Sequence, residues 1–187
     1  MNSEQRKRLF ISIGYKPGRV VRQILYELRD MEKKRLPGLR PIAEENLHVT
    51  LKFLGMVPEP EIAMLCQIMS QVARRHAPMK LKLCGCGRFD KSLWLGIADH
   101  NQLRLLVKDL DQALSIIGME SEKKPFVPHM TIARLRANAP SNLPGLLADC
   151  GDREWDVIEV ENLHLFESET LPEGARYTKV FSATLDS

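Results

Sequence analysis

The chain has 187 residues, 44% of them hydrophobic and 27% charged, with a formal net charge of +3. That length suits one domain, or two small lobes sharing a core, able to bury about 70% of its unfolded surface without a disulfide or metal staple. The charge permits an anionic partner without demanding one. There is no polybasic tail, no low-complexity tract and no stretch near the roughly 20 apolar residues of a membrane helix. The N-terminal apolar run, Leu9 to Ile13, is too short for a secretory signal. Without such a signal, Cys66, Cys84, Cys86 and Cys150 are expected to be reduced thiols in a cytoplasmic protein.

In chain order, "RLFISIGY" (8–15) reads as a strand, broken by Pro17-Gly18. Residues 19–36 place Val21, Ile24, Leu25, Leu28 and Met31 at helical spacing, ended by Pro37-Gly38. In "NLHVTLKFLG" (46–55), Leu47, Val49, Leu51 and Phe53 alternate as the buried side of a strand, with His48, Thr50 and Lys52 on the other. Pro58 and Pro60 suit the start of a helix running to about Arg75. "MKLKLCG" (79–85) and "SLWLGIA" (92–98) pair as a hairpin, and 101–117 is an amphipathic helix stopped by Gly118. "PHMTIARL" (128–135) is a second His-Thr strand. A Pro- and Asn-rich stretch (138–145) leads to a short helical turn. Residues 155–168 and 175–185 read as two final strands joined by Pro172-Glu173-Gly174. The order is α+β. A coarse internal repeat allows two facing half-domains.

The two tetrapeptides "HVTL" (48–51) and "HMTI" (129–132) carry the chemistry. A spacing of two puts His and Thr on the same strand face, about 7 Å apart, while Val49 or Met130 anchors the other side. Two imidazoles, each with both protonation states populated near neutrality, suit a reaction in which one takes a proton from a nucleophile and the other gives one to a leaving oxygen. Cleavage of a P–O bond to ribose makes that demand. Thr50 and Thr131 can donate hydrogen bonds to phosphate oxygens. Arg134 adds a cationic fork, although its odd offset from His129 points it to the opposite face unless a bulge intervenes. Zinc is the chemical rival, but neither tetrapeptide supplies a third ligand. Phe126 reads either as a base-stacking ring or as core. Trp94 reads as core, Trp155 as rim and His164 as strand surface. Arg8, Arg176 and Tyr177 are within sequence reach of the cleft.

With these motifs, "RLFISI", "LWLGI", "KPFVPHMTIAR" and "GARYTKV", the chain resembles the two-histidine (2H) phosphoesterase superfamily over nearly its whole length. It is most similar to the RNA 2′,3′-cyclic phosphodiesterase branch, also called 2′-5′ RNA ligases. The resemblance implies a single bilobal α+β domain over 1–187. Two antiparallel sheets would flank a central cleft, helices on the outer faces, related by a pseudo-two-fold. It implies metal-independent hydrolysis of RNA 2′,3′-cyclic phosphates to 2′-phosphates. His48 would be proton donor and His129 proton acceptor, with Thr50, Thr131 and Arg134 holding the phosphate. No cofactor, membrane or protein partner is implied; the partners would be RNA ends or nucleotide 2′,3′-cyclic phosphates. A non-catalytic nucleotide-binding module and a 2′-5′ RNA ligase remain as alternatives.

Overall fold

The computed structural model describes residues 5–34, 38–98, 100–120, 125–136, 147, 150–172 and 174–186. The expected turn after 138–145 lies outside them, as does Pro37. The strands are β1 (Arg6–Gly14), β2 (Leu39–Pro41), β3 (His48–Pro58), β4 (Met79–Phe89), β5 (Ser92–Ile97), β6 (His129–Leu135), β7 (Glu154–Val160), β8 (Asn162–Leu171) and β9 (Gly174–Thr184). The helices are α1 (Arg19–Lys34), α2 (Ile62–Ala73) and α3 (Asn101–Ser115), and 3₁₀ turns at Glu44–Asn46 and Glu59–Glu61 precede β3 and α2. β2 was missed as a strand because three residues carry no periodic signal. The run 155–168 is not one strand: it breaks at Glu161, because β7 pairs with β4 and β8 with β1 on opposite sides of the molecule.

All the strand pairs are antiparallel, in the order β7-β4-β5-β6-β3-β1-β8-β9, with β2 alongside β6. The two expected sheets are the two ends of this path. They are joined where β3 meets β6 through one residue pair, Val49 opposite Met130. A pseudo-two-fold passes near that pair. It exchanges β3 with β6, β1 with β5, β8 with β4 and β9 with β7, since each set repeats the same neighbour relations. The helices follow from their apolar stripes. α1 buries Val21, Ile24, Leu25 and Leu28 and packs against β2 and β7. α2 and α3 pack on each other, with α2 against β8 and β9 and α3 against β3. One cluster of buried apolar side chains runs from Leu9 on β1 to Leu185 after β9.

Two polar anchors tie these layers. The Asp156 carboxylate on β7 accepts from Tyr15 Oη at 2.5 Å and from Gly18 N at 3.0 Å, just ahead of α1, where the helix dipole favours negative charge. A Cβ at Gly18 would lie 2.4 Å from Asp156 Oδ2, so only glycine allows this approach. The second anchor corrects the sequence expectation for β3. Lys52 does not share the face of His48 and Thr50: it is 4% exposed, and its ammonium pairs with Asp111 of α3 and donates to Glu120 O at 2.9 Å. Phe53, expected in the core, is 58% exposed. The cause is a bulge. Ser12 stands opposite Thr50 and Ile11 opposite Lys52, so Leu51 is an extra residue and the alternation inverts beyond it.

The cysteine expectation is also overturned. Cys86 on β4 and Cys150 form a disulfide with Cα atoms 5.7 Å apart, while Cys66 and Cys84 are free. The pairing joins residues 64 apart in sequence, so spacing alone gave no hint of it. No helix among the described residues is long and apolar enough to cross a membrane.

Candidate active site

β3 and β6 bring the two tetrapeptides together. Counting one residue outward from the Val49–Met130 pair brings His48 toward Thr131 and Thr50 toward His129, with all four side chains on one face. Beneath them Val49, Leu51, Met130 and Ile132 are buried. All four polar residues line a cavity of about 440 Å³ between the two halves, together with Arg134.

Arg134 reaches that face by the device seen at Leu51. Thr131 stands opposite Trp94 and Ala133 opposite Leu93, so Ile132 is an extra residue and the strand inverts after it. The bulge removes the parity objection to Arg134. In both halves the residue five after the histidine, Phe53 in one and Arg134 in the other, is thereby turned into the cavity.

The imidazoles are held alike. His48 Nδ1 lies 2.7 Å from Asn46 O, and His129 Nδ1 lies 2.7 Å from Val127 O. A carbonyl only accepts, so each Nδ1 carries a proton and each Nε2 is left for the cavity. The Asn46 side chain in turn donates to Ala175 O on β9 at 3.2 Å. Rings brace both imidazoles. Phe10 and Tyr177 centroids lie 5.0 and 5.2 Å from His48, and Phe89 and Trp94 lie 5.1 and 6.1 Å from His129. Burial pushes His48 below the usual imidazole range; its carbonyl contact opposes this, and the charges of Arg134 and His129 add to the fall.

Phe126 does not join the group: it is half-buried and packs against the hydrophobic core. The aromatic rings that line the cavity are Phe10, Phe53, Phe89 and Tyr177. Sequence reasoning missed Phe10, Phe53 and Phe89; the one available signal was that Phe53 repeats the five-residue offset of Arg134. Trp94 and Trp155 exchange their expected places. Trp94 is half-buried beside His129, whereas Trp155 is 4% exposed and donates to Gly85 O at 2.7 Å. Arg8 lines the cavity, and Arg176 instead pairs with Glu169 at 2.9 Å. Among the described residues, no three His, Cys, Asp or Glu side chains gather as a metal-ligand cluster.

Two pseudo-equivalent antiparallel halves, each offering a His-x-Thr strand to a shared cleft, are the arrangement of the two-histidine phosphoesterases. A family model for the 2′-5′ RNA ligase superfamily matches residues 17–170, and the chain belongs to that family. It is similar to the RNA 2′,3′-cyclic phosphodiesterase of Thermus thermophilus, with 33% identity over 75% of this chain and 73% of the relative. The Methanocaldococcus jannaschii protein of the same name is 29% identical over 91% of this chain and 96% of its own. A match to the Geobacillus stearothermophilus protein of that name, 38% identical over 104 residues, covers 33% of that longer chain. Among solved structures, E. coli LigT complexed with 3′-AMP superposes with a TM-score of 0.72 and 26% identity, over 98% of this chain and 100% of LigT.

Proposed function

We propose that this chain hydrolyses the 2′,3′-cyclic phosphate at RNA ends to a 2′-phosphomonoester, with the two histidines as a metal-independent acid–base pair. One observation carries the reading: two imidazoles with identically fixed tautomers leave Nε2 free at a single cavity of about 440 Å³ that also holds Thr50, Thr131 and Arg134. His129 takes a proton from water as its oxygen bonds to phosphorus. The P–O3′ bond breaks, and His48 gives its proton to O3′. The threonine hydroxyls and the Arg134 guanidinium stabilise the charge that develops on the non-bridging oxygens.

The acid role is the more demanding one for His48, since its surroundings disfavour the imidazolium. A bound phosphate anion opposes that effect and favours the protonated form of His48. Donor and acceptor are otherwise near-equivalent in geometry, and the assignment rests on the family resemblance. The single buried cluster shared by both ends of the sheet supports one domain over 1–187.

The names of the relatives support an RNA substrate, while a cytoplasmic place of action is carried over from the sequence reading alone. The Cys86–Cys150 disulfide runs against the latter, because reducing compartments keep thiols apart. Alkylation in intact cells, followed by mass measurement, decides it: four modified cysteines support the cytoplasm, two oppose it.

The functional test is end-group analysis of a short RNA bearing a 2′,3′-cyclic phosphate, with and without EDTA. A 2′-phosphate product formed equally in both is expected. His48→Ala and His129→Ala are each expected to lower kcat by at least about 10²-fold. Complete loss of activity in EDTA removes the metal-independent mechanism, and near-normal turnover in either variant removes the acid–base pair. A joined 2′-5′ product in place of hydrolysis would make the chain a ligase.

A further inference from the structure

The face that holds His48 does not stop at the cavity. Outward from β3, one cross-strand row runs Thr50, Ser12, His164, Ser182, and the next runs Phe53, Phe10, Phe166, Lys179. α2 packs on the other side of β8 and β9, where Leu163, Leu165 and Ala183 are buried, while on this side His164 and Phe166 are half-buried and Lys179 and Ser182 exposed. The cavity already extends onto it at Ser168 and Tyr177. By alternation, with the register shift at Val180 included, it carries hydroxyls, an amide, His164, two aromatic rings and Lys179, and no carboxylate. The acids of these two strands, Glu167 and Glu169, lie on the helix side, paired with Lys7 and Arg176.

The pseudo-equivalent face on β4 and β7 is built differently. There the lysines are neutralised, Lys80 by Glu159 at 3.0 Å and Lys82 by Glu154 at 2.6 Å. Lys179, by contrast, sits 6.0 Å from the Phe166 ring centroid and, among the described residues, is in no salt bridge. The Phe166 ring stacks on Phe10 at 5.6 Å, and His164 accompanies it at 5.9 Å. The two halves therefore share a fold, but their strand lysines differ: those of β4 are neutralised, whereas Lys179, beside the half-buried Phe166 ring, meets no carboxylate among the described residues. Burial and the Lys179 charge both hold His164 below the usual imidazole range, a penalty that an anion between them relieves.

We propose that the open face of β8 and β9 is a track for the nucleotides 5′ of the reacting terminus, where Lys179 and His164 meet a phosphodiester and Phe166 offers a base platform. This rests on the cyclic-phosphate reading above. At the strand spacing of a sheet, His164 lies about 10 Å from Thr50 and Lys179 about 14 Å from Phe53, within reach of one or two extended nucleotides. A cation, hydroxyls and rings in alternation suit a single strand, whose backbone is held by charge and whose bases stack without sequence preference.

The test compares a 2′,3′-cyclic mononucleotide with an oligouridylate of four nucleotides bearing the same end. Fluorescence anisotropy of a labelled oligouridylate ending in a 2′-phosphate supplies a readout independent of turnover. Lys179→Ala is expected to lower kcat/KM on the oligonucleotide about fivefold, through KM, and to leave the mononucleotide unchanged. It is expected to flatten the slope of log affinity against log salt by ~0.7, one phosphate contact on a single strand. His164→Asn is expected to act in the same direction, and Lys80→Ala, a control on the pseudo-equivalent face, to change neither substrate.

Equal losses on both substrates would place Lys179 in the reaction site and overturn the track. So would equal kcat/KM for the wild type on the two substrates, or a changed sedimentation with unchanged RNA affinity, which would assign the face to a second copy of the chain. If the wild type turns over neither substrate, the hydrolase reading fails by itself. Anisotropy then still decides the track, and unchanged affinity in Lys179→Ala overturns it.

Discussion

Replacing Asp111 with alanine should destabilise the protein by leaving an ammonium ion buried on the wrong side of a strand. Lys52 is 4% exposed, and its ammonium meets the Asp111 carboxylate and the Glu120 carbonyl. Removing one partner of a buried ion pair costs about 3–5 kcal/mol. Asp111 is itself 29% exposed, so water enters the vacated position, and a loss of about 2–3 kcal/mol is expected. For a chain of this length each kcal/mol shifts Tm by about 2–4 °C, which puts the fall at about 4–12 °C. Urea denaturation followed by circular dichroism measures it, with an unchanged m-value showing that two-state unfolding persists. The double variant Lys52→Met/Asp111→Leu should recover to within about 1 kcal/mol of wild type, because it removes the charge together with its partner. The reasoning is refuted if Asp111→Ala lies within about 0.5 kcal/mol of wild type, or if the double variant is as unstable as the single one.

The Asp156 carboxyl gives a pH signature. Burial pulls its pKa upward, but hydrogen bonds from the Tyr15 hydroxyl and the Val157 and Gly18 N–H groups prevail and hold it below the usual carboxylate range. Its contribution is therefore complete above the unfolded value of about 3.9 and is lost as pH falls through the lower folded value. The stability gap between wild type and Asp156→Asn should narrow on acidification; a gap constant down to about pH 2 would show that the carboxylate charge is irrelevant. Arg134→Gln removes one of the charges that disfavour the His48 imidazolium, so the NMR titration midpoint of His48 should move upward; no movement would mean that the guanidinium does not face the ring. Gly87→Ala would put a Cβ 2.2 Å from Trp94 Cζ2, displacing the indole that braces His129. A loss of about 1–3 kcal/mol is expected, with reduced kcat, and wild-type Tm and turnover together would count against the bracing role.

Much of the architecture was legible because it depends on local periodicity. The stripe Val21, Ile24, Leu25, Leu28 is buried in α1 as its spacing predicts, and Leu103, Leu106, Leu110 and Leu114 in α3 likewise. The two His-x-Thr pairs were legible for the same reason: a spacing of two survives wherever the strand is regular, and both strands are regular between His and Thr. The failures begin one residue later, at Leu51 and Ile132, where an extra residue inverts the alternation. A period of two contains no information about where a partner strand is a residue short.

The sequence by itself determined that this is an α+β chain with two strands, each mounting an imidazole and a hydroxyl over apolar anchors. Side-chain period and hydrophobicity are properties of a segment alone. Tertiary structure decided which faces those segments share: Phe53 and Arg134 turned into the cleft, Lys52 drawn to Asp111, Phe126 taken into packing, Cys86 bonded to Cys150, and β9 supplying Tyr177 beside His48. Each of these depends on the register between segments far apart in the chain, and register is set by pairing in space.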